Sequence, residues 1–357
     1  MKVVLICPSN LLYMPYVANY ISILKKNGID YTVINWDRFQ IENNKNEFVY
    51  SDNKSGHKRY FLDYLIYRKF ILKILKHHKF DKVIVFGLQL AFFLGRFLQK
   101  NFKDNYVVDI RDHNRIVDVF YMDKIIKNSA LVVISSPGYK KFLPPNKEYI
   151  INHNTNIETI GKTRDNHFCM KGDTIKIGTI GALRDTNANV SLINTLKNNS
   201  NFELRFHGEG VITSALQEFI KVNSITNVLI SGRFETEEEE ILYKNCDFIS
   251  VIYFNDRINN ETFLPNRLYN AAKLRRPLIA IDGNYLSEQI KKYKIGVVIE
   301  SLEQLEDGVL EFIGSFDPIE YENGIQAFLK MVVYENECFK KRLLQFCEAI
   351  KQEASNF

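Results

Sequence analysis

Cysteine is sparse and unpatterned. Cys7, Cys169, Cys246, Cys338 and Cys347 are spaced neither as metal ligands nor as a disulfide framework. That excludes a cystine-stapled secreted scaffold and points to a reducing compartment with inert thiols. No apolar run approaches the ~20 residues that a membrane-crossing helix needs. The chain passes at once into a strand-like run, Val3–Ile6, without a basic leader and apolar core ahead of it, so no secretory signal peptide is expected. Short tandem repeats are missing, and so is the Gly-x-Gly-x-x-Gly spacing of a dinucleotide fingerprint. No nucleic-acid-binding motif is recognisable, and no nucleic-acid partner is expected.

What is present is the composition of a soluble globular protein, with 46% hydrophobic and 25% charged residues and 26 Phe and 19 Tyr. A length of 357 residues allows two domains of ordinary size. The net charge of +5 is unevenly spread. Residues 1–160 hold 24 lysines and arginines against 14 aspartates and glutamates, a balance of +10, and the remainder carries −5. The first half is therefore expected to face something anionic.

Short β-branched runs alternate with helical patterns along the whole chain. In the first half, strands are expected at Lys2–Ile6, Tyr31–Asn35, Lys82–Phe86, Tyr106–Ile110, Leu131–Ser135 and Tyr149–Asn152. Helices fall between them at Pro15–Lys26, Tyr60–His77, Leu90–Lys100 and Val117–Lys127. A polar stretch without periodicity, His153–Asp173, reads as a linker. The alternation then resumes, with strands at Thr174–Ile180, Phe202–Phe206, Asn227–Ile230, Phe248–Ile252, Pro277–Ile281 and Gly296–Ile299. Helices are expected near Asn189–Lys197, Thr213–Val222, Glu237–Lys244, Asn266–Leu274, Tyr285–Lys292 and Leu302–Ile313, and a final helix at Gln326–Glu353, broken near Glu335. Near-continuous apolar strands separated by helices imply parallel sheets covered on both faces. The fold class is α/β, with two facing Rossmann-like doubly wound domains and a cleft between them: 1–160, 161–325, and a last helix in 326–357.

The richest segment is Phe263-Leu264-Pro265-Asn266-Arg267-Leu268-Tyr269-Asn270, followed by Arg276-Pro277 and an apolar strand. It reads as a loop, a helix start and a buried strand, with Pro265 where the first turn begins. The positive end of the helix dipole and Arg267 would together suit a phosphate. A plain loop-to-helix junction explains the same residues. At Ile177-Gly178-Thr179-Ile180-Gly181-Ala182-Leu183-Arg184 a strand runs into Gly181, where main chain can approach a ligand closely, and Arg184 lies just past the edge. A tight turn with an exposed arginine is the plainer explanation. His207-Gly208-Glu209-Gly210 follows the next strand, with His207 either a ligand donor or a structural histidine. Ser231-Gly232-Arg233-Phe234 ends the third strand, where a flat base could rest. Glu237–Glu240 reads as a solvated helix start complementing the dipole, with no chemistry assigned.

Taken in order, these segments, with Cys246-Asp247-Phe248 between them, resemble the nucleotide-sugar-binding domain of retaining family 4 glycosyltransferases, particularly the capsule and exopolysaccharide type. The resemblance covers about residues 174–300 and is looser in the first half. It implies a GT-B-like enzyme moving a sugar from a nucleoside-diphosphate donor, UDP foremost, to a lipid-linked surface-polysaccharide acceptor. By this resemblance, configuration is retained, neither metal nor separate cofactor is needed, and the leaving phosphate accepts the acceptor's proton. Arg184 and Arg267, with Leu264, Pro265 and Asn266, would hold the diphosphate. Gly181, His207 and Gly208 would border it, Phe234 would flank the base, and Asn270 would touch the ribose. The final helix would return to the first domain. Three departures are visible, one being that the family's small, glycine-containing turn before the next strand is replaced by Arg275-Arg276, which read as positive charge at a helix C-terminus. The family's ribose-holding glutamate is replaced by Asn270, and its earlier glutamate falls at Thr262, with Glu261 beside it. Asparagine still forms hydrogen bonds but without the charge-assisted strength of a carboxylate.

In the first half, Asp109-Ile110-Arg111-Asp112-His113 ends a strand. Asp112 or His113 could orient an acceptor hydroxyl or take its proton; a salt-bridged loop of Arg111 with Asp109 or Asp112 is the alternative. Lys54–Lys79 carries Lys58, Arg59, Arg68, Lys69, Lys73, Lys76 and Lys79 with His57, His77 and His78, interleaved with apolar residues. Such a helix can lie on anionic lipid headgroups, or simply cover the sheet with solvated lysines outside. The expected location is the cytoplasm, peripheral on the inner face of the cell membrane. The competing reading is a non-catalytic glycan-binding or scaffold subunit; a sugar-phosphate epimerase is a third.

Overall fold

The computed structural model describes residues 1–42, 48–54, 58–155, 157–158 and 174–349. His57, Cys169, most of the expected linker and the last residues of the expected final helix lie outside the described residues. The chain divides into two compact units, Met1–Asn156 with Tyr334–Phe357, and Ile157–Val333.

The first unit contains β1 (Lys2–Cys7), α1 (Tyr16–Lys26), β2 (Asp30–Asp37), β3 (Phe48–Ser51), α2 (Phe61–His77), β4 (Lys82–Phe86), α3 (Leu88–Asn101), β5 (Tyr106–Ile110), α4 (Ile116–Val119), α5 (Asp123–Lys127), β6 (Leu131–Ile134) and β7 (Ile150–Ile151). The strands form one sheet in the order β3-β2-β1-β4-β5-β6-β7, every pair parallel. The four central strands are almost wholly buried because helices cover both faces, which is why they read as unbroken apolar runs. The helix expected at Val117–Lys127 is two short helices instead, parted by the exposed Phe120-Tyr121.

The second unit contains β8 (Ile175–Ile180), α6 (Thr186–Leu196), β9 (Phe202–His207), α7 (Thr213–Val222), β10 (Val228–Gly232), α8 (Glu239–Lys244), β11 (Phe248–Ser250), α9 (Ile258–Thr262), α10 (Asn266–Lys273), β12 (Leu278–Ile281), α11 (Tyr285–Tyr293), β13 (Gly296–Ile299), α12 (Leu305–Gly314) and the start of α13 (Pro318–Glu348). The sheet order is β10-β9-β8-β11-β12-β13, all parallel, so the strand order reverses between β8 and β11. Open parallel sheets bind ligands at the carboxyl ends of the strands beside such a reversal. One face packs Ile177, Phe206, Phe248 and Ile279 against α6, α7 and α12; the other packs Ile249, Val251 and Ala280 against α8, α10, α11 and α13.

Helix α13 corrects two expectations. It starts at Pro318, well before Gln326, and runs through Glu335 without a break. The reason is tertiary. Tyr321, Ile325, Phe328, Leu329 and Val332 fill the core of the second unit, while Phe339, Leu343, Phe346 and Cys347 fill that of the first. At the crossing from one set to the other, buried His153 shares a hydrogen bond of 2.6 Å from Nε2 to the Glu335 carboxylate, and the His153 main-chain N–H donates to Asn336 Oδ1 at 2.9 Å. The polar stretch around Glu335 is thus a docking point rather than a break. Cys7, Cys246 and Cys347 are buried and free, and burial pushes the Cys246 and Cys347 thiols up to about 12.

Candidate functional site

Three strand ends of the second unit are laid side by side by their main chains. The Gly181 N–H donates to the His207 carbonyl at 2.8 Å, the Gly208 N–H to the Gly232 carbonyl at 2.7 Å, and the Leu183 N–H to the Glu209 carbonyl at 3.3 Å. The stacking requires glycine at Gly208, where φ is +129° and an added Cβ would lie 2.2 Å from the Gly181 carbonyl oxygen. His207 is 5% exposed. Its Nδ1 shares a hydrogen bond of 2.7 Å with Ser231 Oγ, and its Nε2 is buried with no partner among the described residues. Burial, and then the charge of Arg205, hold the imidazole below its ordinary range, so it is neutral at pH 7.

Across the strand-order reversal lies α10. Pro265 is its extended N-cap, one position ahead of the first helical residue, and Leu264 and Pro265 are buried while Asn266 is exposed. Arg267, in the first turn, donates from Nε to the Ile180 carbonyl at 2.6 Å and from Nη1 to the Ser250 carbonyl at 3.4 Å. Ile180 ends β8 and Ser250 ends β11. The guanidinium therefore spans the two strands between which the sheet reverses, a cation fixed at the dipole-positive end of a helix.

One turn further along α10, half-buried Asn270 donates from Nδ2 to Glu239 Oε1 at 2.9 Å. Glu239 lies in the run that reads from sequence as a solvated helix start. It is half-buried on α8, forms no ion pair among the described residues, and its carboxyl is held above the usual range, first by burial, with Asn270 and Lys273 acting in the opposite sense. Beside it, burial and then the Glu239 charge raise the Tyr243 phenol, while Arg267 pulls the other way. Glu239, Asn270, Tyr243 and Arg267 are thus electrostatic neighbours. Glu239 and Tyr243 are four apart on one helix face, and Tyr243 is fully buried.

The other candidates are placed as follows. Arg184 is exposed and makes no hydrogen bond or ion pair among the described residues; Asp185 beside it caps α6, accepting from the Ala188 N–H at 3.0 Å. Phe234 is half-buried against the core that contains Tyr243. Thr262 is buried and bonds the Ile258 carbonyl of its own helix at 2.5 Å. Asp112 and His113 belong to the first unit, so the two sets of candidates fall in separate units. There Arg111 holds Asp109 through two bonds of 2.6 and 2.7 Å, donates to the Asn152 carbonyl at 2.8 Å and lies over the Tyr16 ring at 4.4 Å. Tyr20 donates to the same carboxylate at 2.5 Å. This buried network resolves the sequence alternatives for Arg111 in favour of Asp109. Asp112 is exposed, and His113 Nε2 meets Asp118 at 2.9 Å. Among the described residues, no group of three or more His, Cys, Asp or Glu is placed to hold a metal, and no helix is long and apolar enough to cross a membrane.

No family model matches the chain, and no curated protein matches it in sequence. Solved structures match it in fold. A sucrose-phosphate synthase from Thermosynechococcus elongatus is 11% identical with a TM-score of 0.69, each chain covered in full. The lipopolysaccharide outer core galactosyltransferase WaaB is 15% identical with a TM-score of 0.67, over 97% of this chain and 99% of that one. A UDP-GlcNAc 2-epimerase from Neisseria meningitidis, bound to UDP-GlcNAc, is 14% identical with a TM-score of 0.62, over 97% of this chain and 100% of that one. The likeness is one of fold: two Rossmann-like α/β units of the GT-B class.

Proposed function

We propose that this chain is a hexosyltransferase-type glycosyltransferase. It takes a sugar from a nucleoside-diphosphate donor, UDP foremost, and passes it to a lipid-linked surface-polysaccharide acceptor, as in the retaining family 4 enzymes of capsule synthesis. The observation that carries the reading is the seat of Arg267 on the carbonyls that end β8 and β11. A fixed cation at that reversal, beside glycine-borne main chain and a helix start, is the chemistry a diphosphate requires.

In this reading the second unit holds the donor. Arg184 and Arg267, with the main chain at Leu264, Pro265 and Asn266, stabilise charge developing on the leaving diphosphate. Gly181, His207 and Gly208 border it, and Phe234 flanks the base. Glu239, carried on Asn270, supplies the ribose hydroxyls with the carboxylate that position 270 itself lacks. Asp112 and His113 of the first unit orient the acceptor. The guanidinium groups serve as the cations of the step, and the departing phosphate takes the acceptor's proton with retention of configuration. The enzyme works in the cytoplasm, peripheral on the inner face of the membrane.

A thermal-shift screen against UDP, GDP, CDP and ADP sugars tests the donor site. A ligand at a hundredfold excess over its Kd adds about 2.7 kcal/mol. Unchanged turnover with the stabilising donor in both Arg184→Ala and Arg267→Ala would remove the assigned roles. Asn270 in place of a carboxylate favours a second reading, a non-catalytic glycan-binding or scaffold subunit; calorimetry finding no affinity for any nucleoside diphosphate would select it. The fold shared with an epimerase calls for one control, NMR of the free nucleotide sugar incubated with the protein.

A further inference from the structure

We propose that an apolar wedge on the first unit, formed by the start of α2 and the α4–α5 connection, inserts into the acyl boundary of an anionic lipid bilayer. The proposal rests on the peripheral-membrane reading above and goes beyond it, from attraction to penetration. The solvent-facing stripe of α2 runs Leu62, Ile66, Lys69, Lys73, Lys76, at helical spacings of four and three, and all five are exposed. Its first two turns are apolar and its last three basic. Leu62 is 70% exposed, Ile66 50% and Phe61 54%. The Val119-Phe120-Tyr121 segment adds side chains 73%, 43% and 79% exposed.

Ring contacts place both segments on one surface: Phe61 meets Phe93 at 4.9 Å, Phe93 meets Phe92 at 5.4 Å, and Phe92 meets Phe120 at 4.5 Å. Phe93 is buried and Phe92 half-buried, so these rings join the two segments from beneath, and the exposed groups at either end, Phe61, Leu62 and Ile66 on one side and Val119, Phe120 and Tyr121 on the other, are apolar surface of the kind that marks an interaction site. Charge selects the occupant. Lys69, Lys73, Lys76 and Arg96 are exposed and form no ion pair among the described residues. Arg59 and Arg68 of the same basic run are spent internally, Arg59 on Asp52 at 2.7 Å and Arg68 on the Phe93 carbonyl at 2.7 Å. The carboxylates on the second segment are Asp118, which meets His113, and Asp123. An apolar tip continuous with a row of free lysines matches an anionic headgroup layer above hydrocarbon, with the lysines on phosphates and the tip below them.

Flotation of the full chain with phosphatidylcholine vesicles, with and without phosphatidylglycerol, tests this in low salt and in about 1 M salt, where charge acts over only ~3 Å. Two variants are compared, Leu62→Ser/Ile66→Ser/Tyr121→Ser and Lys69→Glu/Lys73→Glu/Lys76→Glu. The expected result is anionic-lipid binding by the native chain that partly survives 1 M salt, and at least about tenfold weaker binding by the serine variant in low salt, with melting temperature and nucleotide binding unchanged. Native-like binding by the serine variant, with loss only in the glutamate variant, would overturn the wedge while leaving electrostatic adsorption intact. No vesicle binding by the native chain would overturn both. Gel filtration showing a dimer of the native chain that the serine variant dissolves would overturn the wedge alone, because the patch would then be a contact between copies. Nucleotide binding, followed in parallel, reports on the transferase reading separately.

Discussion

Replacing Glu239 with glutamine separates function from stability. The side chain keeps its shape and still accepts the 2.9 Å bond from Asn270, so packing is preserved. What changes is charge. Burial raises the Glu239 carboxyl above its ordinary value of 4.5, so the folded state disfavours ionisation relative to the unfolded chain. A raised carboxyl contributes stability that is complete below the unfolded value and is lost as pH rises through the folded one. Glu239→Gln should therefore melt at or above the native temperature at pH 7 to 8, and the gap should close as pH falls towards 4.5. Donor binding should move the other way. A hydrogen bond to a charged acceptor contributes about 1.5–3 kcal/mol and a neutral one about 0.5–1.5. The loss is then about 1 kcal/mol or slightly more for each ribose hydroxyl engaged, roughly tenfold in Kd for one and approaching a hundredfold for two. Calorimetry with UDP across pH 6 to 8, beside melting curves of both proteins, reads both quantities. Equal UDP affinity in the two proteins would refute the ribose role, and a lower melting temperature for the variant would refute the burial argument.

Arg267→Ala should weaken nucleotide binding by at least about tenfold, and Arg267→Lys should not restore it, because an ammonium cannot span the Ile180 and Ser250 carbonyls as a planar guanidinium does; titration with UDP decides both. Gly208→Ala combines a φ of +129° with a Cβ 2.2 Å from a carbonyl oxygen; strain of about 1–3 kcal/mol should lower the melting temperature by several degrees and weaken the same ligand. His207, held below its ordinary value of 6.5, contributes stability that is present at neutral pH and falls as pH drops below about 6.5; melting curves of His207→Gln should show a shallower acid limb. Arg111→Ala strands the buried Asp109 charge and should cost about 3–5 kcal/mol in urea denaturation, whereas Asp112→Asn should reduce transfer to acceptor in a turnover assay.

The central strands were legible because they are buried on both faces. β4, β5 and β13 fall where the apolar runs place them, and α7 spans the residues its period marks. What escaped was held by neighbours rather than by its own pattern. β3 is a half-buried edge strand of four residues whose only strand partner among the described residues is β2. α9, Ile-Asn-Asn-Glu-Thr, has almost no apolar side to read. In the site, Gly181, Gly208 and Arg267 stood out because glycine and an arginine at a helix start carry local meaning. Glu239 sits in a run of four acidic residues, and only its contact with an asparagine 31 positions away distinguishes it. Pairings across that distance leave no periodic trace.

The last helix sets an order of assembly. Phe339 packs on Tyr20 with ring centres 5.0 Å apart, and Leu343, Phe346 and Cys347 close the same core as Val3, Leu5 and Ile84. During translation the strands of the first sheet leave the ribosome long before those side chains exist. The second sheet, whose core takes its helical cover from residues up to Val332, is supplied in one uninterrupted stretch of chain. The amino-terminal half must therefore wait, greasy groove open, until synthesis is nearly finished. A stalled nascent chain ending before Phe339 should be the species that chaperones bind and proteases cut.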